Sequence, residues 1–202
     1  MSEAERLEKL WASNFGSDYT ARNEMVRNEF LGIADIRIDF WSKLTGKYKP
    51  SRVLEVGCGS GRNLNCITIA TDVYGIDVNQ YALQCATENV NGFIQYGLAK
   101  DIQYKDGFFD LVFTCGVLIH QPEESLLQVM SEIVRCSRKY VLCMEYFSET
   151  REEVPYRDQT GALFRDNYGK RYLDSFKLKL IETGFLDKEQ GFDRVTYWLM
   201  EK

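Results

Sequence analysis

The chain has 202 residues, 45% of them hydrophobic and 27% charged, enough apolar material for one domain whose core needs no disulfide or metal staple. Lys and Arg total 25 against 30 Asp and Glu, and the net charge of −5 excludes nucleic-acid binding driven by bulk attraction to phosphate. No apolar run approaches the roughly 20 residues of a bilayer span, and Met1 to Leu10 lacks the apolar stretch of a signal peptide, so no membrane span and a cytoplasmic location are expected. The six cysteines form no Cys-x-x-Cys pair and read as reduced core thiols. With His120 the only histidine, no metal site is expected.

In chain order, residues 1–48 read as a helical cap. Phe30, Ile33, Ala34, Phe40, Trp41 and Leu44 fall on one face, interrupted by Arg37, and Gly46 and Pro50 end the region. Residues 49–202 form the core of the same single domain. Val53 to Val56, Val73 to Asp77, Phe93 to Tyr96, Phe109 to Cys115 and Tyr140 to Met144 are short apolar runs that predict strands. Between them lie segments of helical period, the clearest carrying Leu126, Leu127, Met130, Ile133 and Val134. Short apolar strands alternating with helices predict an α/β fold with a doubly wound, mostly parallel sheet. The tail departs from this rhythm. Phe176, Leu178 and Leu180 alternate with lysines, Gly184 and Gly191 follow, and Val195 to Met200 reads as a last strand. A C-terminal antiparallel hairpin is expected, which brings the sheet to seven strands; Asp174 to Ile181 as helix is the alternative. Residues 148–172, rich in charge, are expected as an insertion on the substrate side.

The most informative segment is Leu54-Glu55-Val56-Gly57-Cys58-Gly59-Ser60-Gly61. It follows a strand and is expected to open a helix, where glycines allow a tight turn and close approach of a ligand to backbone N–H groups. Asp77 ends the second strand and is placed to accept the hydroxyls of a ribose. A dinucleotide fingerprint wants a small residue at position 62, and Arg62 stands there. The spacing Gly-x-Gly-x-Gly suits a cofactor without a pyrophosphate.

The segment resembles motif I of class I S-adenosylmethionine-dependent methyltransferases, with Asp77 in the acidic position after the second strand. The likeness spans roughly residues 50–145 and implies a Rossmann-like fold. The flanks resemble the methyltransferases associated with pseudaminic acid biosynthesis. They are Trp11, Phe15-Gly16, Tyr19 and Arg22-Asn23 at the front. At the back they are Phe164-Arg165-Asp166-Asn167-Tyr168-Gly169, Leu178-Lys179-Leu180, Gly184-Phe185, Tyr197-Trp198-Leu199 and Glu201-Lys202.

The resemblance implies a site for S-adenosyl-L-methionine, with S-adenosyl-L-homocysteine as product. It places Gly57, Gly59 and Gly61 beside the methionine and ribose, Glu55 near the ammonium, and Asp77 on the ribose. Val78 packs on one adenine face, with Leu98 and Ala99 covering the other. Many relatives carry an Asp where Leu98 stands, so the adenine amine must find a backbone carbonyl, a water or Asp101. Cys115, Gly116 and Val117 end the fourth strand at the carboxyl edge, where open α/β sheets bind ligands. Arg22 is a candidate clamp on the cofactor carboxylate, supported by Tyr19 and Asn23, or else a surface helix residue. His120, just past Val117, is the catalytic candidate: a base for a hydroxyl acceptor, or a pocket wall while positioning supplies the rate.

Tyr146, Arg165 and Tyr168, with Glu145, Arg157, Lys170 and Arg171 nearby, are candidates for binding an acidic sugar or sugar nucleotide of a surface-glycan pathway. The expected partner is a small-molecule acceptor and not nucleic acid, and the expected assembly is a monomer or homodimer. Three alternatives stay open: a dinucleotide oxidoreductase, disfavoured by Arg62; a non-catalytic cofactor-binding scaffold; and methylation of another small metabolite or of protein. No Asn-Pro-Pro-Tyr-like tetrad follows the fourth strand, which disfavours methylation of base amines.

Overall fold

A computed structural model describes residues 1–29, 36–67 and 72–202, with the backbone alone at 24–29. The cap comprises α1 (Glu3–Ala12), α2 (Asn14–Glu29) and α3 (Arg37–Tyr48). Ser2 starts α1 with a capping box: its hydroxyl accepts from Glu5 N at 3.2 Å, and the Glu5 carboxylate accepts from Ser2 N at 3.1 Å. Lys49, left-handed at φ 47°, ends α3 just before Pro50. Trp41 and Leu44 of the expected apolar stripe are buried. Its members Phe30, Ile33 and Ala34 lie outside the described residues.

The core follows as β1 (Arg52–Val56), β2 (Asp72–Asp77), α4 (Gln80–Asn89), β3 (Phe93–Tyr96), β4 (Phe109–Cys115), α5 (Glu123–Cys136) and β5 (Ser137–Glu145). Then come β6 (Glu152–Glu153), β7 (Phe164–Arg165), α6 (Tyr168–Ser175), β8 (Lys179–Leu186) and β9 (Val195–Glu201). The seven-stranded sheet runs β3-β2-β1-β4-β5-β9-β8. The first five strands are parallel, and β9 lies antiparallel between β5 and β8. This is the expected Rossmann-like architecture with its C-terminal hairpin. Strand order reverses between β1 and β4, and that switch point opens the crevice in which such sheets bind ligands.

Trp41, Phe113, Tyr140 and Leu199 pack on one face of the sheet, and Phe109, Leu126, Met130, Ile133 and Tyr172 on the other. The buried stripe of α5 is Leu126, Val129, Met130 and Ile133, at i, i+3, i+4 and i+7. Leu127, expected on that face, is exposed, because one residue's rotation of about 100° carries it to the flank.

Two expectations are corrected. Among the described residues no α-helix opens on the glycine loop. Gly61 N donates to Cys58 O at 2.9 Å, and a single 3-10 turn follows at Leu64–Cys66. Positive φ values recur at Gly57, Gly59 and Gly61, which forbids helical backbone before residue 62. In the tail, helix stops at Ser175 and the strand runs on through Gly184, which pairs with Tyr197. A Cβ at Gly184 would stand 2.7 Å from Tyr197 Cε1, so that ring takes the place of a side chain on the strand.

Gly169, in the first turn of α6, has the same relation to Trp198 of β9. A Cβ there would lie 2.3 Å from Trp198 Cδ1, and the indole is buried in the sheet and cannot swing aside. Gly169→Ala is expected to lower stability by about 1–3 kcal/mol, the range for overpacking a filled core. Urea unfolding measures it, and an unchanged midpoint would contradict this packing.

Candidate cofactor and acceptor site

The glycine loop is pinned to β2 at its root. Gly57 N and Cys58 N both donate to Ile76 O, at 2.8 and 3.0 Å. A Cβ on Gly57 would lie 2.5 Å from Val117 Cγ2, so the loop after β1 and the loop after β4 touch through this glycine. Gly59 differs: a Cβ there would meet nothing within 4 Å, and its φ of 53° is the left-handed value. Packing inside the chain does not require glycine at 59. Its backbone lies open to a ligand.

Two carboxyls, Glu55 buried and Asp77 half-buried, flank this opening. Asp77 accepts from Gly59 N at 2.9 Å on one oxygen and from Asn79 N at 2.8 Å on the other. Burial raises its carboxyl pKa. Glu55 accepts from Asn63 Nδ2 at 2.7 Å through Oε1, while Oε2 is buried with no partner. Burial pushes the Glu55 carboxyl up to about 8. Behind it, Arg37 Nη1 donates to Asn63 Oδ1 at 2.9 Å and Arg37 Nε to Gly191 O at 2.6 Å. An ammonium group facing Oε2 would satisfy the orphaned oxygen and favour its anion. The open backbone at Gly59, the orphaned oxygen of Glu55 and the acid at Asp77 fit the amino-acid and ribose ends of S-adenosylmethionine.

The cap is tied directly to this edge through Asn79, which sequence reasoning missed. Its side chain N-caps α4 by accepting from Ala82 N at 3.0 Å, a role that the Asn before Gln80 announces. The same amide donates to Trp11 O at 2.9 Å and Ser13 O at 3.1 Å, a long-range pair with no local signal. Gly16 makes the contact possible, since a Cβ there would lie 2.0 Å from Trp11 O and 2.8 Å from Asn79 Nδ2. Elsewhere α1 is held by Lys100 on Glu8 at 2.7 Å, by Glu124 accepting from Ala4 N at 2.8 Å, and by Arg6 donating to Thr160 O at 2.8 Å. The cap thus spans the edge from the β3 side to the segment after β5.

The cap carries an aromatic cluster to the end of β4. Trp11 lies 4.4 Å from His120, 5.3 Å from Phe15 and 5.5 Å from Tyr19, centroid to centroid. Tyr156 closes the group at 5.4 Å from His120 and 6.1 Å from Phe15. The i, i+4, i+8 spacing of Trp11, Phe15 and Tyr19 is the signal by which a sequence reader could have found this wall. His120 Nδ1 stands 2.6 Å from Ala162 O, so Nδ1 carries the proton and Nε2 remains as acceptor. Burial pushes the imidazole down to about 4, which keeps it neutral at physiological pH. Burial also pushes the Cys115 thiol up to about 12, so it is no thiolate nucleophile.

The remaining candidates divide. Val78, Leu98 and Ala99 are half-buried along the β2–β3 rim, and Asp101 N donates to Leu98 O at 3.2 Å in a turn that leaves Asp101 exposed. Arg22 Nε is buried without a hydrogen-bond partner, whereas Asn23 donates back to Tyr19 O of its own helix at 2.9 Å. Gly116, at φ 71°, turns the chain out of β4. The substrate candidates are not brought together. Tyr146 donates to Asp193 at 2.6 Å, and Arg165 lies on the exposed hairpin beside Glu152 at 3.6 Å. Tyr168 is fully buried, its hydroxyl on Phe164 O at 3.2 Å, because it is the first buried residue of α6. Arg171 and Arg151 are absorbed by Asp166 and Glu123, and Glu145 is fully buried. The positive bias read in residues 148–172 is largely an internal ion-pair network. Among the described residues no cluster of His, Cys, Asp and Glu could hold a metal ion, and no helix is long and apolar enough to cross a membrane.

Two outcomes follow. The single imidazole should titrate in NMR near pH 4 and not near 6.5. Because the unfolded chain binds that proton more readily, His120 should subtract stability as pH falls from about 6.5 towards 4, by up to a few kcal/mol. A normal titration would place the ring in solvent. Asn79→Ala should loosen the cap, costing about 1–3 kcal/mol locally for the lost hydrogen bonds to the carbonyls of Trp11 and Ser13, the latter of which keeps Gly16 N and Ser17 N as donors. Hydrogen exchange over residues 10–23 should speed up, and unchanged rates would exclude Asn79 as the tether.

Residues 54–144 match the family described as a methyltransferase domain. Among solved structures, a Burkholderia thailandensis 1,6-didemethyltoxoflavin-N1-methyltransferase with S-adenosylhomocysteine and 1,6-didemethyltoxoflavin bound is 14% identical, with a TM-score of 0.72 over 100% of this chain and 91% of that one. Magnesium protoporphyrin IX methyltransferase from Synechocystis, with S-adenosylhomocysteine bound, is 17% identical, with a TM-score of 0.68 over 98% and 99% of the two chains. A SAM-dependent methyltransferase from Aquifex aeolicus is 18% identical, with a TM-score of 0.54 over 75% and 81%. These structures share the fold, and the match over 54–144 shows the domain. The chain therefore has a Rossmann-like methyltransferase fold, and its residues 54–144 match a methyltransferase domain.

Proposed function

We propose that the protein methylates a hydroxyl on a small, ring-shaped acceptor, a sugar or sugar nucleotide of a surface-glycan pathway resembling that of pseudaminic acid. The observation that carries this reading is the aromatic wall of Trp11, Phe15 and Tyr156 around His120 at the end of β4. Flat apolar faces with polar edges suit a sugar ring, whose C–H face stacks while its hydroxyls point outward. Arg157, exposed and 5.7 Å over the Tyr156 ring, supports an anionic substituent such as a carboxylate or phosphate.

S-adenosylmethionine supplies an electrophilic methyl group on a sulfonium that leaves as a neutral thioether. Glu55 Oε2 receives the ammonium, Arg22 the carboxylate with Tyr19 beside it, and Asp77 the ribose hydroxyls. Gly57, Gly59 and Gly61 bound the methionine and ribose, Val78, Leu98 and Ala99 the adenine, and Cys115, Gly116 and Val117 the reacting end. His120, neutral and with Nδ1 occupied, accepts a hydrogen bond from the acceptor hydroxyl through Nε2. With its conjugate acid near 4 it is a weak base before transfer, so it orients the oxygen, and alignment at about 3–3.5 Å supplies most of the rate. The hydroxyl proton becomes strongly acidic as the new C–O bond forms and the C–S bond breaks, and it passes to Nε2 and on to solvent. The acceptor is a small molecule and not nucleic acid, and the enzyme works in the cytoplasm as a monomer or homodimer.

The same flat wall favours a second reading, a planar heterocyclic metabolite; one structural neighbour holds 1,6-didemethyltoxoflavin. Incubation with methyl-labelled cofactor and two panels, nucleotide-linked sugars and planar nitrogen heterocycles, separates them by product mass. Label entering sugars is expected, and label confined to heterocycles would replace the proposal. Calorimetry with S-adenosylhomocysteine and with NAD checks the cofactor: the first should bind and the second should not. Binding of S-adenosylhomocysteine without label in any panel would favour a non-catalytic scaffold.

A further inference from the structure

Glu145, at the carboxyl end of β5, is fully buried, yet among the described residues it pairs with no cation. Its two oxygens accept from backbone N–H groups of the loop after β4: Oε1 from Val117 N at 3.2 Å and Oε2 from Ile119 N at 3.3 Å. The residues so tethered are the ones that shape the site. Val117 presents its methyl groups to Gly57 of the glycine loop, and the turn Leu118–His120 ends on the imidazole packed against Trp11. Main-chain bonds alone leave this loop weakly determined. Gly116 N donates to Met144 O at 2.9 Å and His120 N to Val117 O at 3.0 Å, but the N–H groups of 117 and 119 have no backbone partner among the described contacts. A buried carboxylate across two amides fixes the loop's height above the sheet, where a neutral side chain could accept only one bond well.

We propose that Glu145 is the positioning residue of the methyltransferase site, holding the Gly116–His120 loop against the glycine loop so that the cofactor's methionine channel keeps its width. This rests on the cofactor assignment above. It predicts that Glu145, although too deep to touch a ligand, governs ligand affinity through Val117.

The test compares wild type with Glu145→Gln, which keeps the volume and loses one acceptor. Affinity for S-adenosylhomocysteine is measured by calorimetry, with thermal unfolding and hydrogen exchange on the same samples. Affinity is expected to fall by about tenfold or more, the effect of one lost charge-assisted hydrogen bond. The Val117 and Ile119 amides should exchange about tenfold faster or more, with protection of β1 and β4 retained. Native affinity in a variant that only melts earlier would overturn the proposal, since that is the outcome of a merely structural role. If Glu145→Gln does not fold, Glu145→Asp, which keeps the charge but is one methylene shorter, is read by the same two measurements. Failure of the wild type to bind S-adenosylhomocysteine would overturn the cofactor assignment instead, so the two failures are distinguishable.

Discussion

The contact between Gly57 and Val117 is the constraint from which the site is built. It lies where strand order reverses between β1 and β4, so the two loops diverge in chain direction and meet in space. A side chain at 57 would force them apart. Because the loop is also pinned to Ile76 O, it has little freedom to yield, and its next glycine, Gly59, is left with bare backbone facing outward. Close packing at one glycine creates the opening at the other.

Charge around that opening is held ready for a cationic ligand. Glu55 and Glu145 are both buried, and burial raises the first to about 8 and the second to about 7. Among the described residues neither has a cation at hydrogen-bonding distance; Glu55 accepts from the Asn63 amide and Glu145 from main-chain N–H groups. Glu55, with Oε2 left without a partner, costs stability in its charged form and regains it when a cation binds, whereas Glu145 is compensated by the two amides it holds. An ammonium and a sulfonium are ligands of the right sign, and this buried acidity sets the site apart from one built for a pyrophosphate.

The cap joins this electrostatic centre to an apolar wall. Asp77 accepts from Asn79 N, and the Asn79 side chain grips the carbonyls of Trp11 and Ser13. Trp11 in turn lies against His120. A path of direct contacts therefore runs from Asp77 to the aromatic cluster. The ion pairs of Arg151 and Arg171 with Asp166 and Glu123 stiffen the far side of the cleft and take those cations out of ligand binding.

Much of the fold was legible in the chain because its signals are local. Short apolar strands between amphipathic helices dictate a parallel sheet, and the glycine spacing with Asp77 marks the ligand edge, since both depend on neighbours within a turn or a strand. Where tertiary contacts outweigh local pattern, reading failed. Three left-handed glycines keep helix out of residues 57–61, Tyr197 lets Gly184 stay within a strand, and Tyr168 and Glu145, expected among the acceptor-binding residues, are taken into the interior. The Asn79 grip on the cap, the Glu145 hold on the β4 loop and the lowered basicity of His120 join residues 28 to 68 positions apart, or arise from burial itself. Local pattern in the chain specifies a sheet and a glycine loop at one edge of it. Only the tertiary structure decided which acids were buried there, which arginines were spent on ion pairs and which aromatic faces closed over the edge, because desolvation and long-range packing exist only once the chain has folded.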